Sequence, residues 1–404
     1  MQAQMVILGI VVASITLDRE SKPILPEPSF YRALSLAGKQ LGIDVYVFAA
    51  EGFPMHSKQL FGYRWEQNRF TRQPVPLPDI VYDRCFFTDA GQRLGCRRML
   101  SKLTQIKPHR LLNGTLPAKL TVYEALKGQS LLEKHLPHTL PFIAAKQLLR
   151  LAEQHSGGMI LKPSSGMQGR GIVHVTRCLL ERSTLVTGRS RQNNSFTIAF
   201  TEDQAFEKWI TRFVKHSSYL IQPYLELSGE DNKPFDVRAL IQKDEKSSWS
   251  ISGVAVRTGQ EGSLTSNLHG GGGAHAASQL LSAKIGKSKA ERLLEQIHTI
   301  SKQTAERLEN KFGRLAELGL DYGIDKSGRL WLLEANSKPG RSSFQIIGDH
   351  EAERFSIERP LLYARTLTRR LSPSFVANEF ANGRLHHSST DNLLRPFNVQ
   401  EVHR

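Results

Sequence analysis

Several things are scarce in this 404-residue chain, and each scarcity closes a class of explanation. Only three cysteines occur, Cys85, Cys96 and Cys178, too few and too scattered for a disulfide framework or a zinc site, which points to a reducing, cytoplasmic setting. No apolar run reaches membrane-spanning length. The opening MQAQMVILGIVVASI is too short and lacks the positive flank of a signal peptide, so a buried first strand is expected and no membrane role. No internal repeat, no Lys/Arg-rich block and little interleaving of aromatic with basic residues appear, so the formal charge of +16 is a weak argument for nucleic acid. Nor is there a Ser-His-Asp or Cys-His pattern on which to build nucleophilic catalysis; His386 and His387 fall in a polar tail.

What is present is ordinary soluble globular composition, 40% hydrophobic and 23% charged, in a chain long enough for two or three domains. The excess charge is concentrated: residues 62 to 150 hold 15 Lys/Arg against 6 Asp/Glu, a net +9. Such a face suits an anionic partner or simply solubility.

Periodicity predicts a strand over Met5–Ala13, a helix over Ser29–Leu41 and strands over Val45–Ala49 and Ile80–Tyr82. That is an α/β first domain covering 1–110. A helical pattern from Lys119 to Leu136, a helix and two strands between 143 and 176, and a helix over Thr201–His216 opened by a Thr201/Gln204 capping box make a second unit, 111–217. Strands Tyr219–Leu225, Val237–Gln242 and Trp249–Arg257, a glycine-rich loop over 259–277, a long amphipathic helix Ser288–Phe312 and strands Ala316–Ile324 and Leu330–Glu334 make a third, 218–370. Residues 371–404 read as a polar tail.

Two stretches carry candidate chemistry. In ILKPSSGMQGRGIVHV a strand delivers Lys162, a loop places glycines at 166, 169 and 171, and a second strand follows. Glycines let backbone N–H groups turn to an anion and the lysine adds a point charge, yet the order is neither the P-loop nor the dinucleotide fingerprint. The phosphate-binding reading is therefore a hairpin grip. In GLDYGIDKSGRLWLLEANSKPG, Asp321 ends one strand and Glu334 and Asn336 stand two apart at the end of the next, so their side chains share a face. The all-oxygen set suits Mg²⁺ shared with nucleotide phosphates. Between them, Arg257 leaves a strand before Asn267 and four glycines, 270 to 273, a combination suited to charge developing on a transferred phosphoryl group. The bland alternatives are a hairpin with polar ends and a flexible polyglycine loop. Gly286-Lys287-Ser288 imitates the end of a P-loop, but Leu281 stands where the motif needs glycine, and a Ser288/Glu291 capping box is the expectation there.

Taken in order, Lys-Pro and Gly-x-x-Gly-x-Gly (162 to 171), Ile-Gln-Pro-Tyr-Leu (221 to 225), Asp-Val-Arg (236 to 238), Arg257, Asn-Leu-His-x-Gly-Gly (267 to 272), Asp321 and Glu-Ala-Asn-x-x-Pro-Gly (334 to 340) resemble the ATP-grasp superfamily. The middle and end are similar to RimK-type glutamate ligases. Over roughly residues 1 to 365, including Val81-Tyr-Asp-Arg84 and Leu112-Asn-Gly114, the chain resembles the YheC/YheD endospore coat-associated proteins. The resemblance implies an ATP-grasp fold, two α+β lobes clasping ATP, behind an N-terminal α/β domain. It implies ATP and Mg²⁺ as ligands, Lys162 and Lys119 on phosphate, Gln222, Tyr224 and Leu225 in a hinge lining adenine, and Gly166, Gly169 and Gly171 in a lid. It implies further that Asp236, Arg257 and Asn267 complete the nucleotide and transition-state contacts and that Asp321, Glu334 and Asn336 hold Mg²⁺. Pro223 departs from the acidic residue of many relatives, which leaves the adenine contact there to neighbouring backbone. The implied activity is a carboxylate–amine ligation on a small molecule, peptide or protein end. The implied alternative is a structural protein associated with the spore coat and its proteins. Tyr82-Asp83-Arg84 and Arg97-Arg98 remain open between anion recognition and structural ion pairing.

Overall fold

A computed structural model describes residues 5–54, 56–166, 169–215, 217–227, 233–260 and 272–369. Asn267, the glycines at 270 and 271 and the tail 371–404 lie outside these residues.

Three large sheets organise the described chain, beside a two-stranded ribbon of Thr16–Leu17 and Pro23–Ile24. The first is built around Val6–Val11, buried at nearly every position, as expected of a strand covered on both faces. It pairs in parallel with Ile43–Phe48 on one side and Ile80–Asp83 on the other, and Arg110–Leu111 adds a further parallel strand. A hairpin, Leu60–Glu66 and Arg69–Val75, extends the opposite edge. Its two turn residues, Gln67 and Asn68, both take positive φ, 48° and 59°, the geometry of a tight hairpin turn. Helix Pro28–Gln40 covers one face, and helix Ala90–Ile106, capped by the Asp89 carboxylate accepting from Gln92 N–H at 2.9 Å, covers the other. Neither that hairpin nor the second helix is predicted from periodicity.

The second sheet is antiparallel throughout, in the order Ser195–Phe200, Ser183–Arg189, Val173–Cys178, Met159–Pro163, Tyr219–Pro223, Leu140–Pro141. Helices Ala145–Gln154 and Asp203–Val214 cover one face, so Leu148, Phe206 and Ile210 meet Leu161, Val175 and Ile221. The third sheet runs Gly273–Ala276, Trp249–Thr258, Phe235–Lys243, Glu317–Ile324, Leu330–Asn336, again antiparallel. Helix Lys287–Phe312 lays Ile297, Ile300 and Leu308 against its Val237, Val256, Leu320 and Tyr322.

Several sequence expectations need correction. Both capping boxes are absent: Glu202 and Gly286 occupy the caps without side-chain bonds, and the Ser288 hydroxyl instead accepts from Arg292 at 2.7 Å. The single helix expected over Lys119 to Leu136 is two, Lys119–Lys127 and Ser130–Glu133, because Gly128 ends the first. The strand from Tyr219 stops at Pro223, and the glycine-rich loop contains a strand, Gly273–Ala276. The last helix, His350–Arg369, bridges two sheets: Leu361, Tyr363, Ala364 and Leu367 join the core of Ile10, Leu34 and Tyr82, while Ala352 packs with Leu240 and Ala255 of the third sheet.

Candidate active site

Strand register decides which side chains meet. On the third sheet Arg238 pairs with Asp321, Asp236 with Arg257, Asp321 with Glu334, and Gly319 with Asn336. Directly paired residues share a face, and residues two apart on a strand do too, so Asp236, Arg238, Arg257, Asp321, Glu334 and Asn336 all project from one side. The opposite side is the apolar face under the long helix. A bulge makes this compatible with the edge strand: Tyr322 pairs with Leu332 but Asp321 with Glu334, and the extra residue, Leu333, keeps Leu332 with the core while Glu334 turns to the polar face.

On the second sheet the same logic separates Leu161 and Ile221, buried in its core, from Lys162, Leu220 and Gln222, which look the other way. Between this face and the edge of the third sheet lies a cleft. Lys119, Lys162, Gln222 and Glu334 supply its polar lining together with Thr139; Val122, Tyr123, Leu136, Pro137, Leu220, Leu332 and Ala335 make its apolar walls. A mostly apolar cleft with a few convergent polar groups is the form of a small-molecule site.

The two lysines converge. Lys119 Nζ lies 3.4 Å from Glu334 Oε1, and Lys162 Nζ lies 3.5 Å from the Leu333 carbonyl oxygen. Burial together with the neighbouring Lys119 charge pushes the Lys162 ammonium down to about 8, and Glu334 offsets part of this. A trianionic tail would relieve both effects. Gly169 and Gly171 of the adjoining hairpin adopt φ of 71° and 73°, which a side chain would strain.

Beyond the cleft the charges interlock. Arg257 donates to both oxygens of Asp236, at 2.6 and 2.7 Å, and its Nη2 lies 3.0 Å from Asp321 Oδ1. Arg238 grips Asp321 from the other side, Nη2 to Oδ2 at 2.9 Å, and Asn336 Nδ2 donates to the same oxygen at 3.4 Å. Burial alone would raise the Asp321 carboxyl, but the two guanidiniums outweigh it and hold it low. Burial would likewise weaken the Arg257 cation, and Asp321 and Asp236 reverse that, so it stays charged.

The predicted residues therefore fall into two groups, Lys119, Lys162, Gln222 and Glu334 around the cleft and Asp236, Arg257, Asp321 and Asn336 beside it. Tyr224 and Leu225 are absent from the cleft lining; the Tyr224 ring stacks on His174 with centroids 4.1 Å apart. Arg238 was missed as a site residue, although its position two residues from Asp236 put it on the same face. Thr139, which accepts from the Gln222 amide at 2.7 Å, carried no sequence signal. By chemistry Asp321, Glu334 and Asn336 supply two carboxylates and an amide oxygen, donors of the kind Mg²⁺ takes; here Asp321 is engaged by two guanidiniums and Asn336 turns its amide nitrogen to it. Among the described residues no cluster of three or more His, Cys, Asp or Glu offers a self-sufficient metal cage.

Arg84 is a structural residue. It is fully buried, donates to both Glu27 oxygens at 2.8 and 2.6 Å, and lies 3.3 Å from Glu317 Oε1. Cys85 and Cys96, both buried, bring their sulfurs to 3.7 Å.

Two antiparallel sheets closing a cleft, a lysine and glycine hairpin on one and a carboxylate–amide pair on the other, define an ATP-grasp fold. A model of the YheC/D-like ATP-grasp proteins matches residues 109–367, and the chain belongs to that family. It is similar to two proteins of Bacillus subtilis (strain 168). It is 29% identical to the endospore coat-associated protein YheC over 294 residues, which is 72% of this chain and 78% of that protein. It is 28% identical to the endospore coat-associated protein YheD over 378 residues, 90% of this chain and 79% of that one. Among solved structures, the D-cycloserine synthetase DcsG superposes with a TM-score of 0.51 at 13% identity, covering 91% of this chain and all of the other, a likeness of fold alone. Among the described residues no helix is long and apolar enough to cross a membrane.

Proposed function

We propose that this chain is an ATP- and Mg²⁺-dependent ligase that joins a carboxylate to an amine or a related nucleophile through an acylphosphate. The observation that carries the reading is the meeting of Lys119 and Lys162 with Glu334 across the cleft, beside a polar face that gathers Asp236, Arg257, Asp321 and Asn336. The apolar walls suit a purine, and the lysines and the Gly169–Gly171 backbone suit its phosphates. Asp321, Glu334 and Asn336 would hold the metal, whose chemistry is to offset the repulsion between carboxylate and phosphate oxygens. Arg257 lies on the same face as these groups, held in orientation by Asp236, and would stabilise charge on the transferring phosphoryl group. No side-chain nucleophile is required. The substrate class is a small-molecule, peptide or protein carboxylate, and the names of the relatives support a spore coat-associated setting.

Binding without turnover is the second reading, and a specific observation favours it. Asp321 is satisfied by two guanidiniums, Arg238 and Arg257, so a metal must draw it from an existing network. Thermal unfolding with and without ATP and Mg²⁺, beside a Glu334→Ala, Asn336→Ala variant, tests the shared part of both readings. Nucleotide at a hundred times its dissociation constant adds about 2.7 kcal/mol. The wild type is expected to gain this and the variant to lose it; a wild type indifferent to Mg²⁺ and ATP overturns the nucleotide site. Release of ADP on adding amino acids or peptides then separates ligation from binding.

A further inference from the structure

Two sequence features that the proposed chemistry leaves unused, Tyr82-Asp83-Arg84 and Leu112-Asn113-Gly114, converge in space. Both end on the segment that follows Asn336. Asn113 Nδ2 donates to the Ser337 carbonyl at 2.5 Å, and Asn113 Oδ1 accepts from Ala316 N–H at 2.8 Å, so one buried side chain ties the exit of the Leu330–Asn336 strand to the entry of its neighbour. Ser337 Oγ accepts from Leu116 N–H at 3.1 Å. Lys338 Nζ donates to Asp83 Oδ1 at 2.9 Å and to the Cys85 carbonyl at 2.8 Å. Asp83 is itself fixed by Cys85 N–H at 2.8 Å and by Thr115 Oγ1 at 3.2 Å. The Pro339 carbonyl accepts from Arg84 at 3.2 Å and from Arg341 at 2.9 Å.

Each of the three residues after Asn336 is thus held by a group from residues 83 to 116, which belong to or adjoin the first sheet. A tie that merely joined two domains has no reason to concentrate on consecutive residues directly behind the oxygen donors. Glu334 and Asn336 sit at the end of an edge strand, paired on one side only, where strand ends fray unless anchored. We propose that Asn113 and the Asp83–Lys338 pair are positioning residues: the first domain sets the placement of the Glu334 and Asn336 oxygens and thereby the strength with which the nucleotide-bound protein takes Mg²⁺. This rests on the nucleotide reading above for its ligand, although the clasp itself is independent of it. Lys338 and Asp83 touch neither the cleft nor the charge network around Asp321; they act through the backbone of 337–339.

The test uses the full chain and the variants Lys338→Met and Asp83→Asn, both at partly buried positions that leave the core intact; Asn113→Ala is a third, at greater risk to folding. Two measurements are made on each. Backbone hydrogen exchange over 330–341, without any ligand, is expected to quicken in the variants while the remaining sheets keep their protection. The Mg²⁺ concentration giving half of the ATP-induced thermal stabilisation is expected to rise about 10-fold, the scale on which groups behind metal ligands act. Binding of trinitrophenyl-ATP in EDTA should stay unchanged. Faster exchange with an unmoved Mg²⁺ midpoint makes the contacts a structural tie and overturns the positioning role. Unchanged exchange in folded variants overturns the clasp. A wild type that ignores Mg²⁺ and ATP, with exchange still faster in the variants, removes the nucleotide reading and the positioning role together and leaves the tie.

Discussion

Replacing Arg84 by methionine separates anion recognition from architecture. The guanidinium is fully buried and its cavity partners are fixed: Glu27 through two hydrogen bonds, Glu317 at 3.3 Å and the Pro339 carbonyl at 3.2 Å. Glu317 keeps Arg341, Tyr82 and Gln242 after the substitution, so the group that loses its ion pair is Glu27, which keeps the Tyr31 hydroxyl at 3.2 Å and whose side chain is 22% exposed. Breaking a buried pair by removing one partner costs about 3–5 kcal/mol, and the partial exposure of Glu27 places this case near the lower end. With an unfolding entropy of about 2.1 cal/mol/K per residue, a loss of about 3 kcal/mol lowers the midpoint of a cooperative transition of this size by about 4 °C. Burial would raise the Glu27 carboxyl, but Arg84 outweighs it and holds it below its ordinary 4.5. The stability it contributes is therefore present above that value and lost as pH falls through and below it, so the difference between wild type and variant narrows on acidification. Calorimetry at pH 7 and pH 4, with ATP protection measured alongside, is the assay. A midpoint shift below about 1 °C, on the same scale, with nucleotide or substrate binding lost, refutes the structural assignment.

Two other expectations follow from single residues. Lys162, held down at about 8 against an ordinary 10.5, should become reactive toward an amine-acylating reagent with a midpoint near pH 8, protected by ATP, and Lys119→Met should move that midpoint upward; between the two values the unfolded chain binds the extra proton, so this lysine's contribution to stability rises with pH. Gly158 sits at φ +78° with Val175 O only 2.3 Å from where a Cβ would stand, so Gly158→Ala should cost about 1–3 kcal/mol by urea unfolding and loosen the strand that delivers Lys162; a neutral substitution contradicts that backbone geometry.

How much of this was legible beforehand depended on whether burial wrote itself into the pattern. Val6–Val11 and Ile43–Phe48 were readable because strands covered on both faces are nearly continuous apolar runs. The strand Arg69–Val75 was not, since six of its seven residues are partly or fully exposed at a sheet edge, and helix Ala90–Ile106 hides four buried residues among arginines and glutamines. Within the site, the shared face of Glu334 and Asn336 followed from a spacing of two. The bulge at Leu333 did not, nor did the 3.4 Å approach of Lys119, because both depend on pairing across the fold rather than along the chain. Asn267 stays an expectation from resemblance, outside the described residues.

The distribution of cores says which sheets are tied together and which keep a core of their own. Helix His350–Arg369 contributes Leu361 and Leu367 to the first sheet's core and Ala352 to the third sheet's outer face, and Arg84, Glu317 and Arg341 form a buried network between the same two sheets. Separating them would expose apolar surface and unpaired charge at once, so first and third sheets behave as one body. The second sheet keeps a core of its own, drawn from residues 145 to 221, and meets the rest around the cleft. A rotation of that sheet on its connections would leave the cores and buried ion pairs of the described residues intact. Lys162 and the Gly169–Gly171 backbone belong to the second sheet and its hairpin, while Lys119, Glu334 and Asn336 belong with the third sheet and its core. On the ligase reading proposed above, a polyanion seated between them would gain contacts from both as the cleft narrows, so ligand binding would itself favour closure.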